Sequence, residues 1–229
     1  SSVDIFDIKT QEKINSIKMP QIKDFLGDII DSKIYSVDVL EENILILSQG
    51  EKGGRNLDIY KDGKIENIIK DTERLFIGRA KFLDENHIIY ALLSNQVYLY
   101  DIKNKKVLKE IQVSQSKFSS FRLTQDKSKL VICDESGVIS MLDSKSFEIL
   151  KIFRYQNLDN VFQVDIKNNN QNIEEIVYRP FDTRFTIYTG VTKGFMAYPR
   201  HKIMRHLFFH NFALITTRLN RGLSSGYNF

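Results

Sequence analysis

The sequence predicts a mainly β chain, with repeated four-strand units over residues 1 to 168 and a short α+β segment over residues 169 to 229. Three observations carry this. Between residues 2 and 166 the apolar residues come in short runs, often alternating and broken by turn residues, which is the strand pattern and not the helical one. A strand–turn–strand module recurs along that stretch. The charge also divides: residues 1 to 172 hold 25 basic and 26 acidic side chains, whereas residues 173 to 229 hold 8 basic and 3 acidic, so the net charge of +4 belongs to the end of the chain. Such an asymmetry points to a polyanion partner for the tail or to two unrelated pieces.

The module appears in order as "VDIFDIKTQEKINSIKM" (3 to 19), "LDIYKDGKIENII" (57 to 69), "VYLYDIKNKKVLKEIQV" (97 to 113) and "VISMLDSKSFEILKIF" (138 to 153). Asp62-Gly63 accepts positive φ and suits a tight hairpin. Lys103 to Lys105 turns the third module. Two further strands precede each of the last three modules, in "KIYSVDVLEENILILSQ" (33 to 49), "IGRAKFLDENHIIYALLS" (77 to 94) and "FSSFRLTQDKSKLVICDESG" (118 to 137). Tyr60, Tyr100 and Leu142 then recur at spacings of 40 and 42. Phe6 lies 54 before Tyr60, the excess falling in "QIKDFLGDIID" and "GEKGGR".

Four strands at a period near forty are the signature of a β-propeller blade. A β-sandwich also spaces short strands regularly and is the alternative. The expectation is a partial or four-bladed propeller with about three full blades. In one variant Asn160 to Lys167, with Glu174 to Tyr178, pairs with Val3 to Met19 to complete a fourth blade; in the other the chain is an open fragment with bare strand edges. There is no Trp, but Asp101 and Asp143 follow Tyr100 and Leu142 where a Trp-Asp repeat places its Asp. The stretch therefore resembles a divergent WD40-like propeller. Through "VYLYDIKNKKVLKEI", "KLVICDESGVISMLDSKSFEILK" and "NVFQVDIKNN" it is similar to the propeller accessory proteins of periplasmic nitrate reductases. That resemblance implies an exported, non-enzymatic protein with a protein partner on the propeller, although "SSVDIFDIKT" lacks the basic-then-apolar order of a signal peptide.

The propeller stretch offers little chemistry. "GEKGGR" (50 to 55) has neither the Gly-Lys-Ser/Thr ending nor the following helix of a phosphate loop and reads as a hairpin loop. Glu41-Glu42 and Asp134-Glu135 fall in turns, where solvated carboxylates are expected. His87 has no second His or Cys near it in sequence, and Cys133 is the only cysteine, which excludes an internal disulfide and a cysteine metal cluster. No cofactor and no metal are expected. No run of about 18 apolar residues suggests a membrane span.

The tail differs. Eleven aromatics lie between Tyr178 and Phe229 among the basic residues. "YPRHKIMRHLFF" opens a helix at Pro199 with Ile203, Leu207 and Phe208 on one stripe, and "FALITTR" (212 to 218) reads as a strand. His206 and His210 have the spacing of a zinc pair but lack the Glu of His-Glu-x-x-His and a third ligand. "YRPFDTRFTIYTG", "KGFMAYPRHKIMRH" and "NFALITTR" resemble the start of the target-recognition region in single-chain restriction-modification enzymes of the type IIG and ISP kind. The matching residues are Tyr178, Arg179, Pro180, Phe181, Asp182 and Arg184, then Pro199, Arg200, Ile203, Met204, Arg205 and His206, then Leu214, Ile215 and Arg218.

The methyltransferase's Asn-Pro-Pro-Tyr loop cannot be present, since Pro20, Pro180 and Pro199 are the only prolines. Neither a methyl-donor loop nor a nuclease motif is seen, so no catalysis is expected. DNA phosphate contacts are expected from Arg179, Arg184, Lys193, Arg200, Lys202 and Arg205. The competing reading is a structural turn in which Asp182 pairs with an arginine. One resemblance implies a periplasmic protein and the other a cytoplasmic one, so a junction of unrelated pieces is expected near residue 168.

Overall fold

A computed structural model describes residues 1–70, 76–153, 161–169, 172–180, 186–189 and 195–197; beyond residue 160 it describes side chains for Val164 and Ile166 alone. The described residues form antiparallel sheets. β1 (Ser2–Phe6) and β2 (Lys13–Lys18) make a two-stranded sheet, as do β3 (Gln21–Lys23) and β4 (Ile29–Asp31). Four-stranded meanders follow. The first is β5 (Ile34–Leu40), β6 (Asn43–Gln49), β7 (Arg55–Lys61) and β8 (Lys64–Ile69). The second is β9 (Ile77–Phe82), β10 (His87–Leu92), β11 (Gln96–Asp101) and β12 (Lys106–Gln112). The third is β13 (Phe118–Leu123), β14 (Lys129–Asp134), β15 (Ile139–Asp143) and β16 (Ile149–Phe153). The fourth is β17 (Val161–Asn169), β18 (Asn172–Pro180), β19 (Thr186–Thr189) and β20 (Phe195–Ala197).

Three meanders match the expected four-strand units. The fourth departs from expectation. β17 pairs with β18 and β18 with β19, while β1 pairs with β2 alone, so among the described residues the strand partners expected between 161–167 and Val3–Met19 are instead found within each segment's own sheet. The physical reason is local. A two-residue connection lets β17 and β18 close as a hairpin at the smallest loop entropy, and Thr186, Ile187 and Tyr188 supply the β-branched and aromatic residues of the next strand.

Turn chemistry sets the registers. Asp62 (φ 50°) and Gly63 (φ 76°) join Lys61 to its partner Lys64, a two-residue hairpin whose central residues both have positive φ. The two stretches that lengthen the first repeat also fold as loops of their own. "QIKDFLGDIID" is the β3–β4 hairpin, its tip held by the Asp24 carboxylate, which accepts the Leu26 and Asp28 N–H groups at 2.8 and 2.9 Å. "GEKGGR" holds a 3-10 turn at Glu51–Gly53. These loops meet: a Cβ on Gly53, whose φ is +79°, would lie 2.8 Å from the Phe25 ring.

The chain divides into two compact units, Ser1–Phe118 and Ser119–Phe229. In the first, Leu45, Leu47, Leu57, Ile77, Phe82, Ile88 and Tyr90 form one buried cluster, and Ile17, Met19, Ile44 and Ile46 form another. Asp38 on β5 links two sheets by accepting the Phe82 N–H at 2.9 Å and pairing with Lys81 on β9. Asp58 is buried within β7, where Asn67 donates to it at 2.7 Å and Ser48 at 3.4 Å. In the second unit, Val131, Cys133, Ile139, Met141, Phe153 and Val164 pack together, so β17 closes a core begun by β14 and β15. Among the described residues no helix is long and apolar enough to cross a membrane.

Candidate nucleic-acid interface

The expected DNA-contact residues begin on a strand. Tyr178, Arg179 and Pro180 end β18, with the Tyr178 backbone opposite Val164, Arg179 opposite Gln163 and Pro180 opposite Val161. The opening of the Tyr-Arg-Pro-Phe-Asp-x-Arg motif is thus built into the sheet that β17 starts. Val164 is fully buried, and the cluster around it anchors β17. Arg184, Lys193, Arg200, Lys202 and Arg205 lie outside the described residues, as do Phe181, Asp182, the helix expected from Pro199, the strand expected at 212 to 218, His206 and His210.

The expected boundary at residue 168 falls one residue before the end of β17. β17 and β18 are each nine residues long, and their far end pairs Asn169 with Asn172 and Asn168 with Ile173. Sequence reasoning placed strands at 160 to 167 and 174 to 178 but missed their pairing with each other and their length, because "IKNNNQNIEE" breaks the apolar alternation that marks a strand. The signal available was a pair of apolar segments, 161 to 166 and 173 to 178, on either side of a polar run.

Several of the described carboxylates serve turns. Glu41, with φ 54°, and Glu42 are exposed, as expected. Asp134 is a correction: it is 2 % exposed and not solvated. Its Oδ1 accepts the Ser136 N–H and Oγ–H at 2.9 and 2.6 Å and the Val138 N–H at 3.2 Å, which closes the β14–β15 turn from within. Asp101 and Asp143 likewise cap the turns that follow β11 and β15. His87 meets the Asp84 carboxylate through Nδ1 at 2.8 and 3.0 Å, which ties the start of β10 to the preceding turn. Among the described residues, no group of three or more His, Cys, Asp and Glu is placed to hold a metal ion.

The backbone is similar to solved propellers. The WD40 β-propeller domain of Doa1 superposes with a TM-score of 0.56 at 16% identity, over 72% of this chain and 54% of that one. The C-terminal WD40 domain of Sif2 does so with a TM-score of 0.61 at 14% identity, over 83% and 52%. A chain of the mitotic checkpoint complex gives 0.59 at 13% identity, over 72% and 49%. The chain spans about half the length of these solved chains, and at such identities the likeness shows the WD40-like fold alone. No curated protein matches. The family model of the Type ISP C-terminal specificity domain matches residues 98–229, from within β11 through the arginine motif to the end. That is more than half of the chain, and the chain belongs to the Type ISP C-terminal specificity domain family.

Proposed function

We propose that the chain is a non-enzymatic DNA-specificity element, in which a propeller-type scaffold carries a basic segment that contacts duplex DNA. The observation that carries this reading is the family match over residues 98–229, which includes the Tyr178-Arg179-Pro180 end of β18. Arg179, Arg184, Lys193, Arg200, Lys202 and Arg205 would bind phosphate, the aromatics among them giving packing or stacking surface. The eight basic against three acidic side chains of residues 173 to 229 agree with a polyanion partner.

Binding of the full chain to a random-sequence duplex, followed by fluorescence anisotropy over a salt series, tests this. Six phosphate contacts would give a log–log slope of about −5, and Arg179→Ala would make it shallower by about 1. Binding that is absent, or that does not respond to salt, would overturn the reading.

A second reading, docking of a protein partner on the propeller part, is supported by the β3–β4 tip, where Phe25 and Leu26 are 67% and 88% exposed. The narrower role at a periplasmic nitrate reductase rests on sequence resemblance alone.

A further inference from the structure

The polar run Asn168-Asn169-Asn170-Gln171-Asn172 has five carboxamides in succession. Turns favour Asn, but the connection between β17 and β18 is two residues long and accounts for only two of them. Asn168, Asn169 and Asn172 lie on strands, where Asn is disfavoured. The remaining strands run three to seven residues, whereas these two run nine, a ribbon about 30 Å long. The topology therefore collects carboxamides at the end of the longest hairpin among the described residues, inside the span that matches the specificity family.

We propose that this end of the β17–β18 ribbon enters the DNA major groove and reads adenine, with Asn169 and Asn172, which stand opposite each other in register and so share a face, as the reading residues. The inference rests on the DNA-binding function proposed above and adds to it the subsite and the base. The major groove admits a two-stranded β-ribbon, and a carboxamide both donates and accepts, which matches the N6–H and N7 pair of adenine. A phosphate site does not fit here. Lys167 stands opposite Glu175 in register and Glu174 follows Ile173, so the ionic charges near the end sum to a negative value. With no phosphate contact of its own, this end relies for positioning on basic residues elsewhere, the usual division between contacts that position and contacts that specify.

The test is selection of bound duplexes from a randomised pool by the full chain, followed by replacement of the selected adenines with 7-deazaadenine, which lacks the N7 acceptor. The expected result is fixed A·T positions, a loss of roughly tenfold or more on deaza replacement, and loss of the preference in the double variant Asn169→Ala, Asn172→Ala with the salt slope unchanged. Arg179→Ala should do the reverse, with a shallower slope and the same preference. Salt-dependent binding with no adenine preference, or with full tolerance of 7-deazaadenine, would overturn the groove reading and leave the phosphate reading intact. No DNA binding at all would overturn both. Deaza replacement uses the unaltered protein, so a variant that misfolds cannot decide the matter.

Discussion

Asp7, Asp101 and Asp143 solve one problem three times. Asp101 and Asp143 end β11 and β15, the third strands of their sheets, Asp7 follows β1, and each turns the chain into the next strand. The Asp7 carboxylate accepts the Lys9 and Thr10 N–H groups, each at 2.8 Å. Asp101 accepts the Asn104 N–H at 2.8 Å, and Asp143 the Ser146 N–H at 2.7 Å. Four residues after each aspartate the backbone takes a positive φ, at Gln11 (59°), Lys105 (49°) and Phe147 (62°). The side chain replaces backbone partners that the turn cannot offer, and for Asp7 and Asp101 these bonds hold the carboxyl below its ordinary range. Asp58 is the opposite case. Burial raises its pKa above the ordinary 3.8, more than its bonds from Asn67 and Ser48 lower it. The folded state then holds the proton more tightly than the unfolded one, so this group's contribution to stability falls as pH rises from about 3.8 through the raised value. Asn keeps the shape and an acceptor for the Asn67 bond, turns the Ser48 contact into one donated by its own NH2, and has no proton to lose. Urea midpoints on both sides of that window should show the wild type weakening as pH rises relative to Asp58→Asn, whose own curve lacks this component; parallel curves would refute the assignment. The tight turn at Asp62-Gly63 was legible in sequence because its two residues act locally. The burial of Asp58 was not, because "LDIY" states alternation and not which neighbour covers it.

Strand edges explain which parts of the fold were readable at the level of elements. β12 is an outer strand that exposes Val107 and Leu108, and Lys106 and Lys109 interrupt it; charge of this kind guards an open edge. β17 gives the contrary lesson. Its first half carries Val164 and Ile166, which join a core, and its second half carries only polar residues, so a periodicity reading stops where the core stops and the strand does not. Pairing with β18 continues the strand, and pairing is not visible in one segment alone. Val164→Ala should therefore cost about 2 kcal/mol by leaving a hole among Val131, Cys133, Ile139, Met141 and Phe153. Cys133 is 1 % exposed and donates to the Ser120 carbonyl at 3.4 Å, so its thiol reports on that hole. Faster labelling of Cys133 by a thiol reagent in the variant is expected. An unchanged rate would mean that β17 does not cover β14 and β15 in solution.

At the scale of the molecule, the repeat spacing foretold the propeller-like architecture because each four-strand unit is local in sequence, and the spacing of 54 between Phe6 and Tyr60 was accounted for by loops that fold as loops. The partition into units was harder to see. Composition changes near residue 172, but contacts divide the chain at Phe118, since backbone and core, not charge, hold a unit together. Each unit has buried clusters of its own, the first around Ile88 and Leu57, the second around Val131 and Val164. Units with separate cores unfold as separate transitions when neither depends on the other for burial. Ile88→Ala removes atoms from a fully buried site and should cost about 3 kcal/mol. Heating monitored by hydrogen exchange, amide by amide, should then show loss of protection through β6 to β11 in Ile88→Ala with the amides of β14 and β15 unaffected, and the converse in Val164→Ala. Loss of protection throughout the chain from either substitution would mean that the two units fold as one, and that the chemistry of the basic segment cannot be separated from the stability of the propeller part.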